Sequence, residues 1–109
     1  MLREGIVMTT ELTHGDVVAA HRRIRPLIER TPLVTSRLID ARVGARVYFK
    51  CEHLQASGAF KFRGASHVMT LLDDETKRRG VIAHSSGNHA QALALAAARA
   101  DVSATIVMP

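Results

Sequence analysis

The sequence predicts an α/β fold in which helices flank a parallel sheet. A short apolar run at Val81–His84 is typical of a buried strand, and a similar run follows at Ser103–Met108. Between them, the alanine-rich segment Asn88–Arg99 has the length and composition of a helix. A strand, a helix and a strand in this order predict a right-handed crossover between two parallel strands, apolar on both faces.

The first predicted helix begins at a capping box formed by Thr13 and Asp16. The apolar stripe behind this box predicts a helix through about Glu29. Pro32 ends it, because the residue before a proline favours an extended backbone. Similar signals predict four further elements: a helix over residues 37–42, a strand over 46–51, a helix over 65–72 and a helical turn from 73 to 80.

The overall composition argues against several classes of protein. The formal charge is +5, but the basic residues are dispersed and no nucleic-acid-binding motif accompanies them. No stretch approaches the roughly 20 apolar residues that a membrane helix needs, and no signal peptide is visible. Cys51, the single cysteine, is expected to be buried, and a chain without disulfides fits a reducing cytoplasm. We therefore expect neither a nucleic-acid partner nor a membrane partner.

One lysine has surroundings that favour nucleophilic chemistry. Lys61 stands between Phe60 and Phe62, just after a small turn that contains Gly58. Apolar neighbours disfavour the ammonium form, and a neutral amine is what Schiff-base formation requires. Taken alone, the same pattern also fits a surface lysine whose stem covers apolar surface.

A polar turn with one glycine, residues 85–89, precedes the alanine-rich helix. Free N–H groups at the start of a helix form an anion-binding site. Taken alone, Asn88 also fits a helix N-cap, and the two serines fit an ordinary polar turn. His84 and His89 lack the neighbouring ligands that a metal site needs, so no metal is expected. A nucleophilic lysine and an anion site together suit a carbonyl cofactor that condenses with amino acids.

These two motifs, with Arg30–Leu33 and Lys50–Glu52, resemble the fold type II pyridoxal-phosphate enzymes. The resemblance is to the threonine and serine ammonia-lyases and the serine racemases, and it runs from about Leu12 to Pro109. It implies pyridoxal 5'-phosphate as cofactor and a tryptophan-synthase-β-like architecture, present here as a truncated part.

The resemblance also implies a role for each motif residue. Lys61 would carry the cofactor as a Schiff base and act as a base at the substrate α-carbon, with Phe60 near the cofactor ring. Asn88 would bind the ring hydroxyl. The substrate carboxylate would be held by Ser85, Ser86, Gly87, Asn88 and His89. In racemases, the position of Ser86 is also the acid and base on the opposite face.

The expected reaction is removal of water from L-threonine or L-serine, giving a 2-oxo acid and ammonia. The alternatives are serine racemisation, another β-elimination, or a non-catalytic fragment that only binds a related subunit. A homo-oligomer is expected for the full-length family member. The expected organisation is a disordered terminus over residues 1–12, part of the large cofactor domain over 13–65 and the beginning of a small βαβ domain over 66–109. Because the phosphate cradle and the strands and helices that would cover the sheet would lie beyond Pro109, we expect the 109-residue chain alone to be inactive and poorly folded.

Overall fold

The computed structural model describes residues 11–109. These residues form, in chain order, α1 (His14–Ile24), β1 (Leu33–Val34), α2 (Arg37–Val43), β2 (Phe49–Lys50), α3 (Lys61–Leu71), α4 (Asp74–Arg79), β3 (Val81–His84), α5 (Asn88–Arg99) and β4 (Ala104–Val107). Two 3-10 turns, Glu52–Leu54 and Ala56–Gly58, lie between β2 and α3.

Helix α1 begins at the predicted capping box but ends earlier than predicted. The Oγ1 of Thr13 accepts from the Asp16 N–H at 3.2 Å, and the Asp16 carboxylate accepts from the Thr13 N–H at 2.8 Å. The helix ends at Ile24, not near Glu29. Pro26 is the physical reason, because proline has no N–H to continue the helical hydrogen bonds and clashes with the preceding turn.

Helices α2 and α4 each begin at a side-chain cap. Ser36 precedes α2 and accepts from the Ile39 N–H at 3.5 Å, and Gly44 follows the helix. Asp73 precedes α4, where its carboxylate accepts from the Thr76 N–H at 2.7 Å. These short-range hydrogen bonds depend on neighbouring residues only, so the local sequence is sufficient to specify them.

The strand predicted over residues 46–51 is reduced to β2, which pairs antiparallel with the unpredicted β1. Residues Leu33 and Val34 face Lys50 and Phe49 respectively. The Val47 N–H is bound by an Asp40 carboxylate oxygen at 2.8 Å, so this donor is not available to a strand partner. A two-residue strand carries no periodicity, and therefore β1 left no signal in the sequence.

Helix α3 begins four residues before the predicted start at residue 65 and packs against α5. Gly64 lowers the local helix propensity, but burial of Phe62 (1% exposed) compensates for it. The core lies mainly between these two helices and comprises Phe62, Ala65, Met69, Ala92, Leu93, Ala96, Ala97 and Val102. The small side chains on α5 allow the two helices to approach closely.

The predicted strand–helix–strand unit is present. Strands β3 and β4 are parallel, in a register that runs from Val81 opposite Ala104 to His84 opposite Val107. Their residues alternate between half-buried and exposed, because α5 covers one face, while Ile82 on the other is 73% exposed. Both faces of these strands were expected to be buried. Among the described residues, only the face against α5 is covered. Cys51, as predicted, is buried.

The predicted domain organisation remains a prediction. The boundary between residues 65 and 66 falls within α3. Most of the segment 1–12 that was expected to be disordered lies outside the described residues.

Candidate active site

A left-handed turn places Lys61 at the first position of α3. Ser57 and Gly58 both have positive φ, 64° and 73°, and Ala59 is extended before the helix begins. An L-residue in this region, here Ser57, costs roughly 1–2 kcal/mol. Surrounding interactions must therefore hold the turn in place.

The buried amide of Gln55 provides one of these interactions. Its Oε1 accepts from the N–H groups of Glu29 at 2.9 Å and Ala56 at 3.0 Å, and its Nε2 donates to the Glu29 carbonyl at 3.0 Å. Gln55 is 3% exposed, so nearly all its polar capacity is spent inside the protein. The turn before Lys61 is thereby tied to the segment that follows α1, as expected for a structural residue.

An ion pair between Arg63 and Glu52 fixes the start of α3. Arg63 donates through Nε and Nη2 to the two carboxylate oxygens at 2.8 and 2.7 Å, and the Thr31 hydroxyl donates to Glu52 at 2.5 Å. The hydrogen bonds from Arg63, helped by that from Thr31, lower the pKa of Glu52 to about 2. Since Arg63 is two residues after Lys61, this pair orients the first turn of the helix.

Lys50 and Lys61 lie in different environments. The ammonium of Lys50 donates to the Thr31 carbonyl at 2.6 Å and lies 3.9 Å from Glu52. Within the described part of the chain, Lys61 has no hydrogen-bond or ion-pair partner, and its Nζ lies 5.7 Å from the centre of the Phe60 ring. Of the two phenylalanines that flank Lys61 in the sequence, only Phe60 lies near its amine in residues 11–109. Lys61 is exposed, Phe60 is 61% exposed, and Phe62 points into the core because it packs against α5.

Lys61 lines a cavity of about 580 Å³ formed by α3, β3 and the first part of α5. Helix α3 contributes residues 61, 63, 64, 65, 68 and 69, of which 61, 64, 65 and 68 have the spacing of one helix face. A side chain at Gly64 would meet nothing within 4 Å, so this wall is open. The remaining walls include Phe60, Ile82, His89 and Leu93, and the cavity is mainly apolar.

The polar turn follows β3 directly. The Ser85 N–H donates to the Val107 carbonyl at 3.0 Å, which extends the sheet, and the Ser85 hydroxyl accepts from the Gly87 N–H at 3.3 Å. Gly87 occupies the cap position of α5, and Asn88 is the first helical residue. Asn88 therefore does not form the N-cap that was one interpretation of the sequence.

The structure brings some of the predicted site residues together. Phe60, Lys61 and His89 line one cavity, although 28 positions separate the last two in the sequence. Ser85, Ser86, Gly87 and Asn88 do not line that cavity; they form the turn next to it, with Ser86 and Asn88 exposed. The sequence did not identify Gly64, Val68, Ile82 and Leu93 as walls. The spacing of residues 61, 64 and 68 was the available signal for two of them.

Residues 11–109 contain neither a cluster of metal ligands nor a helix that could span a membrane. No group of three or more His, Cys, Asp or Glu side chains is placed to hold a metal ion. No helix in this part of the chain is both long and apolar enough to cross a membrane.

Residues 24–109 match the profile of the family described as "Pyridoxal-phosphate dependent enzyme". The L-threo-3-hydroxyaspartate ammonia-lyase of Saccharomyces cerevisiae is 55% identical over 97 residues, 89% of this chain and 30% of that protein. The serine racemase of Arabidopsis thaliana is 52% identical over 90 residues, 83% of this chain and 27% of that protein.

The fold of this chain is also similar to those of solved structures. Maize serine racemase superposes with a TM-score of 0.82 and 52% identity. The match covers 85% of this chain and 29% of the maize chain. Serine racemase from Dictyostelium discoideum gives a TM-score of 0.86 and 44% identity, covering 90% and 32%. The chain thus spans about 30% of the length of the curated relatives that it matches.

Proposed function

Because this chain belongs to the family of pyridoxal-phosphate dependent enzymes, we propose that Lys61 is the residue that binds the cofactor. Family membership and the solved structures confirm the predicted α/β fold class of the fold type II enzymes and pyridoxal phosphate as the family's cofactor. The observation that carries the assignment to Lys61 is its position, at the start of α3 and in one cavity with β3 and the start of α5.

The residues around Lys61 fit the aldehyde and ring of this cofactor. An aldehyde needs a primary amine, and Lys61 has no competing acid partner among the residues described. An aromatic ring needs apolar walls and room, and Gly64, Val68 and Leu93 supply them. When bound, pyridoxal phosphate supplies an electron sink for charge at the substrate α-carbon. The Nζ of Lys61 would accept the proton that leaves that carbon.

We assign the substrate carboxylate to the turn between β3 and α5. The first N–H groups of α5 have no partner within the helix, and the positive end of the helix dipole lies there. The hydroxyl groups of Ser85 and Ser86 add two donors beside them. Asn88 would bind the cofactor's ring hydroxyl, and the Ser86 Oγ would hold or deliver a proton on the face opposite Lys61.

For the whole protein, we propose elimination of water from a β-hydroxy-α-amino acid, which gives a 2-oxo acid and ammonia. The names of similar proteins support this class, because 3-hydroxyaspartate, serine and threonine all carry a hydroxyl on the β-carbon. Within it, L-threonine, L-serine and L-threo-3-hydroxyaspartate are the candidate substrates. Racemisation is the second candidate function, supported by 52% identity to a plant serine racemase.

Two further properties belong to the same proposal. A homo-oligomer is favoured because apolar residues such as Ile82 and Val107 stay exposed on the sheet. A cytoplasmic location is favoured because the single cysteine, Cys51, is buried and unpaired.

The assignment of Lys61 is tested by reductive labelling of the purified chain. The chain has three lysines, Lys50, Lys61 and Lys77, so it contains its own controls. After treatment with pyridoxal phosphate and borohydride, peptide mass spectrometry should find most of the pyridoxyl label on Lys61. Lys50 should label least, because its ammonium is held by Thr31 and Glu52. Equal labelling of Lys61 and Lys77 would contradict the assignment.

The reaction is tested with the whole protein and its cofactor. Each of the three candidate substrates is supplied in turn, and ammonia, 2-oxo acid and the D-isomer are measured. We expect 2-oxo acid and ammonia in equal amounts, and loss of both in Lys61→Ala. A D-amino acid as the main product would favour racemisation. Consumption of the amino acid without formation of 2-oxo acid, ammonia or the D-isomer would exclude both candidates.

A further inference from the structure

A second cavity, of about 190 Å³, lies on the other side of α3 from Lys61. It is bordered by the segment after α1, by α4 and by the end of α5. Its lining residues include Leu27, Phe62, Ser66, Met69, Lys77 and Arg99. None of these is acidic, and most of the surface is apolar.

Helix α3 separates this cavity from the candidate active site. Positions 62, 66 and 70 face it at intervals of four residues, whereas positions 61, 64 and 68 face the cavity of Lys61. Of the α3 residues, Met69 alone lines both. The second cavity is therefore not an extension of the cofactor site.

Ser66 gives the cavity a buried polar group. The residue is 3% exposed, and its Oγ has no hydrogen-bond partner among the described residues. A buried hydroxyl without a partner is unfavourable, and a ligand oxygen in the cavity that Ser66 lines would supply the missing acceptor.

Two cationic side chains stand around the same space. The guanidinium of Arg99 lies over the Phe62 ring, 5.0 Å from its centre, and donates one hydrogen bond to the Leu27 carbonyl at 3.2 Å. Its other N–H groups stay available within the described structure. Lys77 is half-buried and has no hydrogen-bond or ion-pair partner in residues 11–109.

We propose that this cavity binds a small monocarboxylate with an apolar body no larger than about one ring. The volume sets the size, since an apolar cavity of roughly 150 Å³ holds benzene. The apolar walls require a hydrocarbon body, and the carboxylate matches Lys77 and Arg99 in charge and Ser66 in hydrogen bonding. No acidic residue lines the cavity to compete for these cations.

The test uses benzoate with the purified chain. Saturation-transfer NMR observes the ligand and works even if the protein self-associates. Benzoate is expected to bind at least 5-fold more tightly than benzyl alcohol, which lacks the charge, and than acetate, which lacks the ring. Benzyl alcohol or acetate binding as well as benzoate, or no benzoate binding at all, would overturn the proposal.

Matched variants locate the binding. Lys77→Met keeps the length of the side chain, removes its charge and should weaken benzoate binding 5-fold or more. Arg78→Met removes a charge at the next position of α4, outside the cavity, and should have no effect. If the two variants weaken binding equally, the effect is one of net charge and the site is wrong. Ser66→Ala, which removes the unpartnered hydroxyl, should weaken benzoate binding 2-fold or more.

Discussion

Glu52 shows how a single side chain can connect separate segments of the chain next to Lys61. Its carboxylate accepts hydrogen bonds from Arg63 in α3 and from Thr31, which lies two residues before β1. The ammonium of Lys50 lies 3.9 Å away. The Glu52 side chain is 18% exposed, so water screens the pair with Arg63 only partly. Removing the carboxylate would leave the Arg63 guanidinium without its partner.

Glu52→Gln is therefore expected to lower the free energy of unfolding by about 1–3 kcal/mol at pH 7. The folded pKa of about 2 lies below the usual 4.5, so the carboxylate stabilises the fold above about pH 4.5 and loses this effect as the pH falls towards 2. The difference between wild type and variant should shrink over that range in urea titrations. Glu29→Gln, an exposed carboxylate without a side-chain hydrogen bond among the described residues, is the control and should show little difference.

Asn88 allows function and stability to be separated at one position. Gly87 holds the cap position, and the Asn88 side chain makes no cap hydrogen bond. Asn88→Ala should leave stability unchanged or raise it by a few tenths of a kcal/mol, because alanine has the higher helix propensity. The same change should weaken binding of pyridoxal phosphate, measured by equilibrium dialysis. Destabilisation by about 1 kcal/mol with unchanged cofactor binding would support a purely structural role.

At the scale of elements, the turn and the helix that position Lys61 require different backbone conformations from their glycines. The turn needs a left-handed backbone at Gly58, whose φ is 73°. The helix needs an ordinary backbone at Gly64, where glycine only lowers helix propensity. In neither place would a Cβ meet another atom within 4 Å, so backbone conformation alone decides the outcome of a substitution.

Gly58→Ala should destabilise the protein by about 1–2 kcal/mol, because alanine resists a positive φ. Gly64→Ala should stabilise it by up to about 1 kcal/mol. Thermal unfolding of the two variants in parallel checks the signs. Two changes of the same sign would mean that the start of α3 is not the helix described. Since Gly64 also lines the cavity of Lys61, its variant is expected to reduce reductive labelling of that lysine.

At the scale of the whole molecule, the parallel sheet has one covered face and one open face. Helix α5 covers Val81 and Ala83, whereas Ile82 is 73% and Val107 47% exposed. Within the part of the chain described, the sheet has two strands, so each strand also has an unpaired edge. Open edges and exposed apolar side chains favour association with another chain.

We expect the purified chain to associate in a concentration-dependent way in sedimentation velocity experiments. Ile82→Asn should shift the distribution towards monomer, because it removes the most exposed apolar side chain of β3. Val17→Asn is the matched control: this valine is 61% exposed but lies on α1, away from the sheet. Equal effects of the two variants would mean that the sheet face is not the site of association.

The sequence by itself determined the features that depend on neighbouring residues. The cap at Thr13 formed as predicted, and those at Ser36 and Asp73 are of the same local kind, since each is a hydrogen bond across three positions. The crossover through α5 was predicted because two short apolar runs and the alanine-rich segment between them have the lengths and compositions of strands and a helix. The cofactor was predicted from the resemblance that two short motifs bear to the fold type II enzymes, and such motifs are visible in a sequence because they consist of specific residue types in a fixed local order.

Only the tertiary structure decided the features that join distant segments. Helix α3 begins at Lys61 because Phe62 is buried against α5, a contact that overrides the local weakness at Gly64. The pairing of β1 with β2 and the shared cavity of Lys61 and His89 also cross long stretches of sequence. Such contacts are selected by the burial of apolar surface, which depends on the packed arrangement of the whole chain and leaves no period in any one segment.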